Sequence, residues 1–88
     1  MNSADKKKLR ADAHSLKPVI MIGQAGLSSA VLAEMNLALD NHELIKVRIR
    51  AEREERKQIS EKICMETGAT LIQNIGQIAV IYRHNPKK

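Results

Sequence analysis

At 88 residues the chain predicts one domain over 1–88 with one modest core. Hydrophobic residues make up 43% of it but aromatic residues only 1%, Tyr82 alone, so the core must be Ile, Leu, Val, Ala and Met, and base stacking on Phe or Trp is excluded. A net charge of +5 and a pI near 9.7 favour an anionic partner, nucleic acid first, while the single Cys64 excludes an internal disulfide and a multi-cysteine zinc site.

The spacing predicts a helix over residues 3–15, capped by Ser3, with Leu9, Ala13 and Leu16 on one side. Lys6, Lys7, Lys8 and Arg10 surround that side; a lysine run alone reads equally as a solvated face. No apolar h-region follows these charges, so no secretory signal is expected and the cytoplasm is the simplest location. No apolar run approaches the roughly 18–20 residues that span a bilayer, and no membrane partner is expected. Pro18 stops the helix and pushes Lys17 towards an extended conformation.

Val19-Ile20-Met21-Ile22 then reads as a short strand buried on both faces. Gly23-Gln24-Ala25-Gly26 is a tight glycine loop, and Ser28 is an N-cap for the helix over 28–41. Leu27 and Leu32 have the spacing of a hydrophobic staple. Val31, Leu32, Met35, Ala38 and Leu39 form the apolar stripe of that helix, which ends at Asp40-Asn41-His42.

Leu44-Ile45-Lys46-Val47-Arg48-Ile49-Arg50 alternates strictly. Ile45, Val47 and Ile49 point one way, Lys46, Arg48 and Arg50 the other. Residues two apart on one strand face are about 6.5–7 Å apart, close to the spacing of successive phosphates on an extended strand. An ordinary solvent face mixes signs, whereas this one is all basic.

Residues 51–67 predict a third helix, with a Glu52–Arg56 pair at its charged start, Ile59 and Ile63 facing the core, and Gly68 ending it. The mixed-sign start reads as a solvated turn. Ala69–Ile75 and Ile78–Arg83 form a hairpin around Gly76-Gln77, a type II′ signal that pairs Ile75 with Ile78. Both faces of the second arm are apolar, as in a strand covered on both sides; the tail from His84, with Pro86-Lys87-Lys88 at its end, is expected to fray.

The fold expected is therefore α/β in two layers, α-β-α-β-α-β-β. Right-handed crossovers place the two connecting helices on one face of a mixed four-stranded sheet. The basic side of the second strand falls on the other, partly covered face. The sequence leaves the strand order open.

The glycine loop carries the chemistry. A helix N-terminus offers unpaired N–H groups and partial positive charge, and glycines let a phosphate approach closely. A lone GxxG also serves any tight strand-to-helix turn.

Leu16-Lys17-Pro18-Val19, Ile22-Gly23-Gln24-Ala25-Gly26-Leu27, His42-Glu43-Leu44-Ile45-Lys46-Val47-Arg48, Glu66-Thr67-Gly68-Ala69, Ile75-Gly76 and Ile81-Tyr82-Arg83 occur in this order. Together they resemble the CRM domain, in its bacterial single-domain YhbY-type form. The resemblance covers about Leu9 to Arg83. It implies an RNA-binding domain similar in fold to the C-terminal domain of translation initiation factor three. It also implies association with precursors of the large ribosomal subunit, and RNA contact through Gly23, Gln24, Ala25 and Gly26 with nearby basic residues. The two central loop residues are uncharged here, so charge must come from Lys17, Lys46, Arg48, Arg50 and the cluster Lys6, Lys7, Lys8 and Arg10.

The function expected is non-catalytic binding of ribosomal RNA during large-subunit assembly, dominated by phosphate and shape, by a monomer. The alternative is a protein-interaction adaptor that docks through the same basic face. An enzyme is not expected: His14, His42 and His84 fall on separate elements, and neither GxGxxG nor a Walker A lysine is present. No metal, cofactor or small-molecule substrate is expected.

Overall fold

The computed structural model describes residues 2–23 and 25–86; Gln24, Lys87 and Lys88 lie outside the described residues. The elements are α1 (Ser3–Ala13), β1 (Pro18–Ile22), α2 (Ser29–His42), β2 (Leu44–Ile49), α3 (Arg53–Thr67), β3 (Thr70–Ile75) and β4 (Ile78–Tyr82). The order is the expected one. The sheet runs β1-β2-β4-β3, with β1 and β2 parallel and the other pairs antiparallel. A parallel pair needs a crossover, and α2 supplies it. A tight turn suffices for β3 and β4, where Ile75 pairs with Ile78 as the turn chemistry predicts. Gly76 has a φ of 55° and Gln77 does not share the positive region, which fits type II′ rather than type I′.

The sheet is unequally covered. On one face α2 and α3 bring Met35, Leu39 and Ile63 onto Ile20, Ile22, Ile45, Val47, Ile49, Ala79 and Ile81. Each buried Ile, Leu, Val or Met contributes about 1.5–3 kcal/mol by leaving water. On the other face α1 lays Ala13 and Leu9 over Ile72, Val80, Leu44, Ile78 and Tyr82. The strand β4 lies between two neighbours and between two layers, which is why both of its faces are apolar.

By contrast β1 is an edge strand with only one face covered. Ile20 and Ile22 are buried, but Val19 and Met21 are each 54% exposed. The expectation of a strand buried on both faces is thus corrected. Four apolar residues in a row carry no alternation, so the pattern does not reveal that α1 packs on β2 and β3 and leaves Val19 and Met21 of β1 exposed.

Three local details also differ. The cap of α1 is Asn2, whose Oδ1 accepts from the Asp5 amide at 2.9 Å, and Ser3 is already helical. Helix α3 starts at Arg53, and the Arg56 guanidinium donates to the Ala51 carbonyl at 2.7 Å rather than pairing with Glu52. The tail does not fray at once: the Asn85 amide donates to Glu43 Oε2 at 2.9 Å, and its side-chain amide donates to the Asp40 carbonyl at 2.7 Å.

Arg83 ties three elements together. Its Nη1 donates to Asn36 Oδ1 at 2.7 Å and to the Thr67 carbonyl at 2.8 Å. Its Nη2 donates to the Asn36 carbonyl at 3.0 Å and to Asp40 Oδ1 at 2.8 Å. One guanidinium thus joins the end of β4 to α2 and to the end of α3, using the planar fork that lysine lacks.

Candidate nucleic-acid interface

Three features meet at one end of the sheet because three backbone bonds hold them there. The Arg50 amide donates to the Ile22 carbonyl at 2.9 Å, which fixes the exit of β2 beside the start of the glycine loop. The Ile49 amide donates to the Gln77 carbonyl at 2.7 Å, which brings in the hairpin turn. The Gly26 amide donates back to the Gly23 carbonyl at 3.0 Å, closing the loop on itself.

Gly26 has a φ of 76°, a conformation that glycine adopts without strain. Gly23 is different. It has no positive φ, and a Cβ built on it, like one on Gly26, meets nothing within 4 Å among the described residues. The fold itself therefore does not require glycine at 23, and the space above its backbone is open.

Beyond the loop, Ser28 caps α2 as expected, its Oγ accepting from the Val31 amide at 3.2 Å. The Ser29 and Ala30 amides have no acceptor among the described residues. The first turn of α2 also carries no acid, whereas α1 has Asp5 and α3 has Glu54 and Glu55 there. The partial positive charge at this helix end is left uncompensated.

Lys46 and Arg48 leave β2 on the face opposite the helix-backed core, half-buried, and Arg50 follows them, exposed. Pro18 is in register with Lys46 and Met21 with Arg48, so Lys17 and the exposed Val19 and Met21 flank the basic row. Helix α1, which carries Lys6, Lys7, Lys8 and Arg10, packs on this same side. Among the described residues, the acid–base side-chain contacts are Arg83–Asp40 and His84–Glu43, so none of these eight cations has an ion-pair partner. The structure thus brings Lys17, Lys46, Arg48 and Arg50 into one row that ends at Gly23, Ala25 and Gly26. The α1 cluster shares the side but adds a separate group of charges.

The remaining titratable features fit a binding surface less well. A groove of about 780 Å³ between α3 and β3 is lined by Arg53, Arg56 and Lys57 but also by Glu54 and Glu61. Cys64 packs against the core, and burial pushes its thiol pKa up, the wrong direction for a nucleophile. Among the described residues no group of three or more His, Cys, Asp or Glu could hold a metal ion. None of the described helices is long and apolar enough to cross a membrane.

The sequence matches the CRS1 / YhbY (CRM) domain over residues 1–83. The chain belongs to the CRM domain family. It is 41% identical to a "probable RNA-binding protein" of Pseudomonas aeruginosa, over 99% of this chain and 85% of that one. An "RNA-binding protein" of Haemophilus influenzae is 45% identical over 94% of this chain and 85% of its own length. The solution structure of a hypothetical Staphylococcus aureus protein, described as a candidate RNA binder, superposes with a TM-score of 0.85 at 31% identity, covering 97% of this chain and 90% of that one. The CRM fold expected from the sequence is therefore the fold observed.

Sequence reasoning missed two kinds of residue in this CRM domain. Arg83 stood only as the end of a family motif; its role needs the three-dimensional meeting of α2, α3 and β4. Val19 and Met21 have the composition of a buried strand, and only the strand order reveals them beside the basic row.

Proposed function

We propose that this CRM domain binds RNA without catalysis, and that its target is ribosomal RNA in precursors of the large ribosomal subunit, bound by a monomer in the cytoplasm. The observation that carries the reading is the row of unneutralised cations, Lys17, Lys46, Arg48 and Arg50, leading to a glycine loop with an open backbone and an uncompensated helix N-terminus. Successive basic side chains on β2 match successive phosphates in spacing. The loop and the Ser29 and Ala30 amides take one further phosphate. The names of the Pseudomonas and Haemophilus relatives support RNA as the partner. The ribosomal target rests on the resemblance to YhbY-type proteins.

With Tyr82 the sole aromatic, affinity comes from phosphate and shape rather than from aromatic stacking. The test is sedimentation of cell extract on a sucrose gradient with and without RNase. Co-migration with a large-subunit precursor that RNase abolishes is the expected result. Co-migration that survives RNase would favour a protein adaptor on the same basic face, and migration at the top of the gradient in both cases would remove the ribosomal target.

A further inference from the structure

At the other end of the basic row lies a groove of about 440 Å³, formed where the end of α1 and the linker to β1 face the start of β2. Leu16, Val19 and Leu44 make its apolar walls, with Ile45, whose side chain is buried in the helix-backed core, at its margin; Asp12, Lys17 and His42 are its polar groups. We propose that this groove takes the base of one unpaired nucleotide of the bound RNA, and that Asp12 selects guanine there. The inference rests on the RNA-binding reading above and adds to it a base-specific position.

Size and lining fit a base. Ligand pockets of roughly 300–1,000 Å³ are mostly apolar with a few polar groups that fix orientation. Leu16 and Val19 remain 38% and 54% exposed, so a flat ring laid on them removes apolar surface from water that the fold leaves wet.

Position argues for a nucleotide rather than a peptide. The groove is continuous with the phosphate-spaced row, because Pro18 is in register with Lys46 and the flanking Lys17 and Val19 both line the groove. From Lys46 to Arg50 the strand advances about 13 Å, roughly two internucleotide steps. A strand that follows Arg50, Arg48 and Lys46 arrives with its next phosphate at Lys17 and its base over Val19 and Leu44.

Asp12 gives the selectivity. A carboxylate is unfavourable beside a phosphate, and on a surface this basic it stands out at the one place where a base edge would sit. It is an acceptor only, with two oxygens side by side. Guanine alone offers two adjacent donors, N1–H and the N2 amino group, on its Watson–Crick edge. Adenine and cytosine offer one amino group and uracil one imino N–H.

The test is fluorescence anisotropy of the full chain at fixed salt with uridine-rich RNA hexamers. One central position is guanosine, inosine, adenosine or abasic, and an all-uridine hexamer is the reference. Guanosine is expected to bind about five- to a hundredfold more tightly than adenosine or the abasic position, the span of one good bidentate base contact, with inosine between. Asp12→Asn should collapse the guanosine preference and leave the all-uridine affinity within about twofold; Asp12 is exposed and has no ion-pair partner among the described residues. Leu16→Ser should weaken the guanosine hexamer and spare the reference. Equal affinity for all hexamers, or a preference untouched by Asp12→Asn, overturns the groove while salt-sensitive binding leaves the RNA reading standing. No binding of any hexamer or of a structured ribosomal RNA fragment overturns both. Capture of an apolar acidic peptide that Leu16→Ser abolishes, with hexamers unaffected, assigns the groove to a protein and overturns its use for a base.

Discussion

The Arg50 amide and the Ile22 carbonyl, 2.9 Å apart, join the end of the basic strand to the entrance of the glycine loop. That bond places the last cation of the β2 row beside the exposed backbone at Gly23, so the proposed RNA path uses both together.

Gly23→Asp should weaken RNA binding by about tenfold or more. A carboxylate within roughly 4–5 Å of a bound phosphate costs on the order of 1–4 kcal/mol, and the new side chain enters space that the fold leaves empty. The melting temperature should stay near wild type. Gly26→Asp is the less clean variant, since its φ of 76° adds backbone strain. Filter binding and thermal melts on the same preparations check both; unaltered affinity for Gly23→Asp removes the loop from the interface.

Lys46→Ala and Arg48→Ala should each flatten the dependence of log affinity on log salt by about 0.7–0.9. Neither side chain has an ion-pair partner among the described residues, so folding stability should barely move. Binding isotherms at several salt concentrations give the slopes; unchanged slopes would take both residues off the phosphate path.

Arg83→Met should cost about 2–3 kcal/mol of stability. It leaves the Thr67 and Asn36 carbonyls short of their donor in a partly buried site. Asp40→Asn should cost less than about 1 kcal/mol, because that carboxylate is 62% exposed and its ion pair is screened by water. Urea unfolding of the two variants reads the difference, and equal effects would contradict the assignment of the clasp to the carbonyls.

Cys64 should react slowly with a thiol reagent at roughly pH 8 in the folded protein and quickly after unfolding, since burial favours the neutral thiol. The folded pKa lies above the unfolded one, so the contribution to stability is fully present below the unfolded pKa and is lost as pH rises through the folded one. Cys64→Ala should remove that alkaline component. Denaturant midpoints between neutral and alkaline pH measure it; an identical pH profile in Cys64→Ala would refute the burial effect.

Much of the fold is visible in the sequence because periodicity and turn chemistry agree. The alternation of Ile45, Val47 and Ile49 with Lys46 and Arg48 gives β2 and its faces, Ser28 gives the start of α2, and Gly76-Gln77 gives the hairpin register. What escapes is whatever depends on neighbours distant in the chain. Val19 and Met21 have core composition but occupy an edge strand whose outer face α1 leaves exposed. Arg83 looks like a surface residue at a strand end until α2 and α3 close around it. Asn2 and Ser3 are equally good caps, and only the entry path of the chain decides between them. At the candidate site the cations are legible from β2, whereas their convergence on Gly23 is not, because it depends on the parallel pairing of β1 with β2.

In the proposed complex RNA lies on the side of the sheet that carries Lys46 and Arg48 and on the loop at its end. Backbone amide chemical-shift mapping during titration with a ribosomal RNA fragment tests it most directly. The predicted result is that the largest shifts fall on Gly23, Gly26, Ser29, Ala30, Lys46, Arg48 and Arg50. Shifts confined to the outer surface of the helix layer, around the exposed Leu37 and Met65, would contradict it.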